Sequence, residues 1–307
     1  MKKFRHITAA VALGAVASLA LAGCATGNDT AGGNGGGDSE GGDKGTITLG
    51  FIPSWTDGLS MAYLVQDQLE KLGYTVELET LTEAGPLYTG LAQGDVDMFP
   101  SAWPEVTHAE YMETYGDDLE DLGAYYDNAK LTIAVPSYMD ITSIEDLKGQ
   151  AARFDGKIIG IEPGAGLTGV TQDSMMPEYG LDGEYTLETS STSGMLTVLG
   201  EAIDNKEDLV VTLWKPFWAN SEYDVKELED PLGAMGEAET LNFMAHKGFA
   251  EEFPEAAELV KQIKLDDDQY GSLDDLVVNE FEEGQEAEAV DKWLEENGDQ
   301  FDWVVKK

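Results

Sequence analysis

From residue 46 onward, apolar positions recur in two periods that take turns along the chain. Thr46 to Ile52 (TITLGFI) is a short apolar run rich in β-branched residues and predicts a strand. Leu59, Ala62, Tyr63, Val65, Leu69 and Leu72 follow at helical spacing and stop at Gly73, which predicts an amphipathic helix. Tyr74–Leu81 alternates as a second strand. Leu87–Gln93 reads as a short helix stopped by Gly94, and Val96–Phe99 as a third strand. Lys130–Pro136 (KLTIAVP) is a further strand, and SIEDLKG opens a helix with Ser143 as cap and Asp146 three residues later. Lys157–Ile161 predicts a strand and Leu167–Tyr179 a helix; Thr186–Thr189 and Leu209–Trp214 complete a second sheet. EEFPEAAELVKQIK and QEAEAVDKWLEENGDQFDWVV predict surface-packed helices. Alternating strands and helices imply βαβ units and a mainly parallel sheet. No internal repeat is present.

These elements group into two α/β lobes. The first spans 46–132 and is completed by 238–307; the second spans 133–237. Crossings near Val135 and Leu241 suit a hinge that closes the lobes over a cleft.

The N-terminus changes where this body is expected to work. Lys2, Lys3 and Arg5 precede an apolar stretch from Ile7 to Ala22, the pattern of an export signal over 1–23. Leu21-Ala22-Gly23-Cys24 resembles the bacterial lipobox, which implies cleavage before Cys24 and a diacylglycerol on its sulfur. Two or more acyl chains suffice for stable anchoring. Cys24 is the only cysteine, so no disulfide framework is possible. The segment to residue 45 is glycine-rich and almost free of apolar residues, a flexible linker. No later run reaches the ~18 apolar residues of a membrane span. Cleavage would take the net charge from −42 to −45, because three cations and no acids leave. Such a surface repels nucleic acid and anionic lipid, favours solubility, and steers cations mildly.

Candidate chemistry is sparse. After cleavage only His108 and His246 remain as histidines, and no GxSxG, HExxH or Cys/His metal cluster is present. Asp266-Asp267-Asp268 lacks the glycine and spacing of a calcium loop and reads as a solvated helix start. No cofactor or metal is implied. Gly164, Gly166 and Gly169 match G-x-G-x-x-G after a strand and before a helix, a place where backbone N–H groups and the helix dipole favour an anion. Three readings stand there: a small carboxylate, a structural turn, or a dinucleotide with Glu188 as its acidic residue.

The six tryptophans narrow the field. Trp293 and Trp303 lie on the C-terminal helices and read as core. Trp55, Trp103 and Trp214 each lie at a strand's end, where a doubly wound sheet places its ligand crevice. A quaternary ammonium group cannot hydrogen-bond, but aromatic faces attract its diffuse charge, each by ~0.5–2 kcal/mol once desolvated. A carboxylate on the same ligand would suit the amides of Gly166 and Leu167 and a donor on His108. In PSAWPEVTH, then, Trp103 faces the cation, His108 reaches the anion, and Pro100 and Pro104 hold the turn.

At this point the chain resembles the glycine betaine/choline-type substrate-binding proteins of ABC importers, over most of residues 46–280. The motifs are AGPLYTGLAQGDVDMFPSAWPEVTH, SIEDLKG, FDGKIIGIEPGAG, VVTLWKPFW and LEDPLGAMGEAE. The resemblance implies a two-lobed, type II periplasmic-binding-protein-like α/β fold. It implies a cation cage of Trp55, Trp103 and Trp214, and a carboxylate site of His108, Gly166 and Leu167. It further implies a monomeric lipid-anchored receptor outside the cytoplasmic membrane, delivering glycine betaine to a permease with its ATPase. The chain departs from its relatives at Leu213-Trp214-Lys215-Pro216-Phe217-Trp218, where they often have Gly-Trp-Thr-Pro-His-Trp; Lys215 adds a positive charge near the rim. Choline, carnitine or proline betaine are alternative ligands, and Tyr63, Tyr111 and Trp218 are further candidates for the cage. From other classes, an exported NAD-dependent enzyme would bind nucleotide, and a sensory or adhesive lipoprotein would leave betaine uptake unchanged when deleted.

Overall fold

A computed structural model describes residues 44–306. The signal over 1–23, the lipidation residue Cys24 and almost all of the linker lie outside the described residues.

Strand β1 (Thr46–Phe51) pairs in parallel with β2 (Thr75–Thr80) and β3 (Met98–Ala102). The helix Thr56–Leu72 returns the chain from β1 to β2 and buries Met61, Leu64, Val65 and Leu69 beneath it. Each such side chain contributes about 1.5–3 kcal/mol of burial free energy. Gly73 ends the helix in the left-handed region (φ 100°), where a side chain would be strained, and its N–H returns to Glu70 O.

Strand β4 (Leu119–Pro136) is 18 residues long and joins the halves. From Leu119 to Ala129 it runs antiparallel to β9 (Glu239–His246); from Lys130 to Ala134 it runs antiparallel to β7 (Val211–Lys215). β5 (Lys157–Ile159) pairs in parallel with β6 (Thr186–Glu188) and β7, and β8 (Val225–Glu227) pairs with the end of β4. The order is β2-β1-β3-β9-β4-β7-β5-β6, with β8 to the side. The sheet is therefore mixed, not mainly parallel.

The difference arises from β9 and the first part of β4, neither of which reads as a strand. LEDLGAYYDNA carries Asp, Gly and Asn, which strands disfavour, and its pairing with β9 shifts register between Asp121 and Ala129. ETLNFMAH is buried at nearly every position and sits behind a turn-rich run, so no alternation marks it. The helix Thr192–Asn205 is also unheralded, although Ser191 caps it by accepting from Gly194 N–H.

Local signals fare better. Ser143 and Asp146 form a reciprocal capping box, but the turn they start is a four-residue 3-10 helix, Ile144–Leu147. Asp266 caps Asp267–Asp275 with Gln269 reciprocating, so the acidic run is a helix start. That helix and Glu286–Asn297 pack back onto Thr56–Leu72, so the C-terminal segment covers the first half. Trp293 is fully buried there and its Nε1–H donates to Ser272 Oγ at 2.8 Å; Trp303 is buried beside Phe301. No described helix is long and apolar enough to cross a membrane.

Candidate functional site

Strand ends bring the site together. Trp55 follows β1 at the start of the helix Thr56–Leu72, and Trp103 follows β3. Trp214 lies within β7, and Gly166 and Leu167 open a helix after β5. His108 precedes the helix Ala109–Tyr115. All six predicted residues line one cavity of about 330 Å³, counted to its mouth, together with Asp57 and Thr107. The first half supplies Trp55, Trp103 and His108, and the second supplies Trp214, Gly166 and Leu167.

The turn from Trp103 to His108 is closed from both ends. His108 N–H donates to Trp103 O at 2.8 Å, and Trp103 N–H donates to His108 Nδ1 at 3.0 Å. Pro104 lies within this turn. Pro100 lies instead inside β3, where the pairing with β9 shifts register and no ladder donor is required.

Those bonds fix the chemistry of His108. A backbone N–H can only donate, so Nδ1 is the unprotonated nitrogen and Nε2 carries the hydrogen. Tyr88 Oη lies 2.9 Å from the same Nδ1, and burial holds the Tyr88 phenol far above its ordinary value, so it too donates. Burial pushes the His108 imidazolium down to about 3. His108 is thus a neutral Nε2–H donor across the physiological range.

Buried carboxylates orient the indoles. Asp57 Oδ2 accepts from Ser101 Oγ at 2.5 Å and Trp103 Nε1–H at 3.1 Å, and the Trp214 side chain is a further donor to this carboxylate. Burial raises the Asp57 carboxyl above the usual range while these donors oppose the rise. Glu162 accepts from Trp55 Nε1–H at 3.3 Å. Phe217 stacks behind Trp214 with ring centres 3.8 Å apart.

At the glycine motif, the amides of Thr168 and Gly169 return to Ala165 O, so those of Gly166 and Leu167 stand at the open end of the helix. Gly166 sits against the other half: a Cβ there would lie 1.7 Å from Thr107 O. Gly164 and Gly169 do not line the cavity.

The remaining candidates fall elsewhere. Trp218 packs edge-on against Phe217 and Tyr63 edge-on against Phe51, neither lining the cavity. Tyr111 stacks on Tyr88 behind His108. Lys215 is exposed and pairs with Glu227 at 2.7 Å, so its charge is engaged. Among the described residues no cluster of His, Cys, Asp and Glu could hold a metal ion. The sequence reading missed Asp57, Glu162, Thr107 and Tyr88. Only Asp57 carried a signal, two residues after a tryptophan at a helix start.

Asp274 lies beneath this network, accepting from Ser60 Oγ at 2.7 Å and Thr56 Oγ1 at 3.3 Å. Burial first, and Asp57 nearby, push its carboxyl up to about 7 against an ordinary 3.8. The folded protein therefore keeps a proton there that the unfolded chain loses above about 4, and stability drains as pH rises from about 4 to about 7. Asp274→Asn removes that loss. Its melting temperature relative to the parent is expected to climb over this window and level off above it; a constant difference from pH 4 to 8 would show that Asp274 titrates normally.

A two-lobed α/β fold with an aromatic cavity between its halves defines a solute-binding protein. The sequence matches, over residues 45–296, the family described as the substrate-binding domain of the ABC-type glycine betaine transport system, and the chain belongs to that family. It is a receptor of an ABC transporter, not an enzyme, and the dinucleotide reading falls away. Among similar proteins, the glycine betaine/carnitine transport binding protein GbuC of Listeria monocytogenes is 33% identical over 145 residues, 46% of each chain. The glycine betaine/proline betaine-binding periplasmic protein of Escherichia coli is 26% identical over 81% of this chain and 86% of its own. The glycine betaine, L-proline-binding protein (ProX) of Borrelia burgdorferi superposes with a TM-score of 0.77 at 32% identity, over 85% of this chain and 97% of its own. Lactococcal OpuAC, closed on glycine betaine, does so at 0.77 and 30% identity, over 84% and 99%.

Proposed function

We propose that this protein captures glycine betaine in the cavity and hands it to the permease and ATPase of an importer. Trp55, Trp103 and Trp214 surround the trimethylammonium group. The Nε2–H of His108 and the amides of Gly166 and Leu167 take the carboxylate. The lobes, 46–132 with 238–307 and 133–237, close by a hinge on β4, where the pairing partner changes between Ala129 and Lys130. The protein acts as a monomer outside the cytoplasmic membrane, held by an acylated Cys24.

The observation that carries this reading is the convergence of three indoles and a neutral imidazole donor on one cavity, with contributions from both halves. Choline alone would leave the His108 and Gly166–Leu167 donors without an acceptor, which favours a ligand bearing both charges.

Intrinsic fluorescence tests it. Titration with glycine betaine, proline betaine, carnitine, choline and glycine should give a saturable change in the micromolar range with betaine and none with glycine, since the tryptophans bound the ligand. Saturation by choline alone would remove the carboxylate role from His108. No response to any quaternary ammonium compound would overturn the ligand class.

A further inference from the structure

We infer that Glu162 is a positioning residue that ties one wall of the cage to the opposite lobe, so that Trp55 is held in its binding orientation only when the lobes are together. This deepens the reading above and rests on it.

Glu162 follows β5 in the second half and is buried. Among the described residues it makes no ion pair, so donors alone stabilise its carboxylate. Oε1 accepts from Thr192 N–H at 2.8 Å, and Oε2 accepts from Thr192 Oγ1–H at 2.9 Å. These two bonds lie within one half and fasten Glu162 to the start of the helix Thr192–Asn205. The third bond, from Trp55 Nε1–H to Oε2, crosses the cleft. Opening the lobes breaks that bond alone.

The crossing bond has company. Tyr111, from the first half, donates its hydroxyl to Gly164 O at 2.7 Å, and Gly166 rests against Thr107 O. The first half therefore grips the loop from Glu162 to Gly166 at three points. Tyr111 stacks on Tyr88 with centres 4.7 Å apart and planes 6° off parallel, and Tyr88 holds Nδ1 of His108. The loop thus reaches the cation side of the cavity through Trp55 and the anion side through Tyr111, Tyr88 and His108. A bond present only in the closed state slows ligand escape more than it speeds capture.

Glu162→Gln isolates the crossing bond. With its oxygen on Thr192 N–H, the new amide stands where Oε2 was. The Thr192 hydroxyl can turn to accept from it, but the indole N–H of Trp55 cannot accept. The lobe's own bonds survive and the bridge is lost. Stopped-flow binding of glycine betaine to the full protein is expected to show dissociation about tenfold faster, association within about twofold, and an unchanged melting temperature without ligand. Thr192→Val, which spares the bridge, is expected to change dissociation by less than about threefold. Unchanged dissociation in Glu162→Gln would overturn the inference while leaving the ligand reading intact. A lowered unliganded melting temperature with equal loss in both rates would also overturn it, because that marks a structural role. Failure of the unaltered protein to bind any quaternary ammonium compound would overturn the ligand reading, and the inference with it.

Discussion

Gly166→Ala is expected to weaken glycine betaine binding by about 100-fold or more while leaving the unliganded protein's melting temperature unchanged. The added Cβ would lie 1.7 Å from Thr107 O, 2.5 Å from its carbonyl carbon and 2.8 Å from its Cγ2. Two of these are backbone atoms on the opposite half, held in the turn that Trp103 and His108 close. No side-chain rotation relieves the overlap, so the halves must part, and parting them separates the Gly166–Leu167 amides from His108. An open protein suffers no clash, and the change therefore spares the unliganded fold. Isothermal titration and a melting curve check it. Binding within threefold of the parent would mean that the halves close along a different path, or that these amides take no part.

Trp103 carries the second large effect. Trp103→Ala deletes an aromatic face and a donor to Asp57, and is expected to lower betaine affinity by about 100-fold. Because Trp103 is buried, the same change also costs about 3–5 kcal/mol of folding stability. Trp103→Phe separates the two effects. It keeps a weaker face, loses the bond to Asp57 Oδ2, and should bind about tenfold more weakly with most of its stability retained. Retention of full affinity in Trp103→Phe would show that the indole's orientation by Asp57 is dispensable, and in Trp103→Ala that Trp103 is not part of the cage.

Reading the sequence placed the ligand-facing residues better than their support. Trp55, Trp103, Gly166 and Leu167 were legible because each sits where a strand gives way to a helix or turn, which hydrophobic period marks locally. His108 followed from its place on the same turn as Trp103. The residues behind them were not legible, because their meaning depends on partners far along the chain. Asp57 and Trp103 are 46 positions apart, and Glu162 and Trp55 are 107 apart. Nothing in a local window tells a carboxylate that it will face an indole N–H. The fold divides the same way. Capping at Ser143 and Asp266 depends on neighbours three residues away and could be read. β4 could not, because its first part is irregular and draws its order from β9, more than a hundred residues later.

The central claim is that the cavity selects a cation by its charge and not by its shape. The most direct measurement compares glycine betaine with 3,3-dimethylbutanoate by isothermal titration. The two share a carboxylate and a head of three methyl groups, but the second has carbon where betaine has positively charged nitrogen. If Trp55, Trp103 and Trp214 act through cation–π attraction, the neutral-headed analogue should bind about 100-fold more weakly. Equal affinity for both would contradict the account, because the cavity would then be recognising an apolar shape beside an anion site.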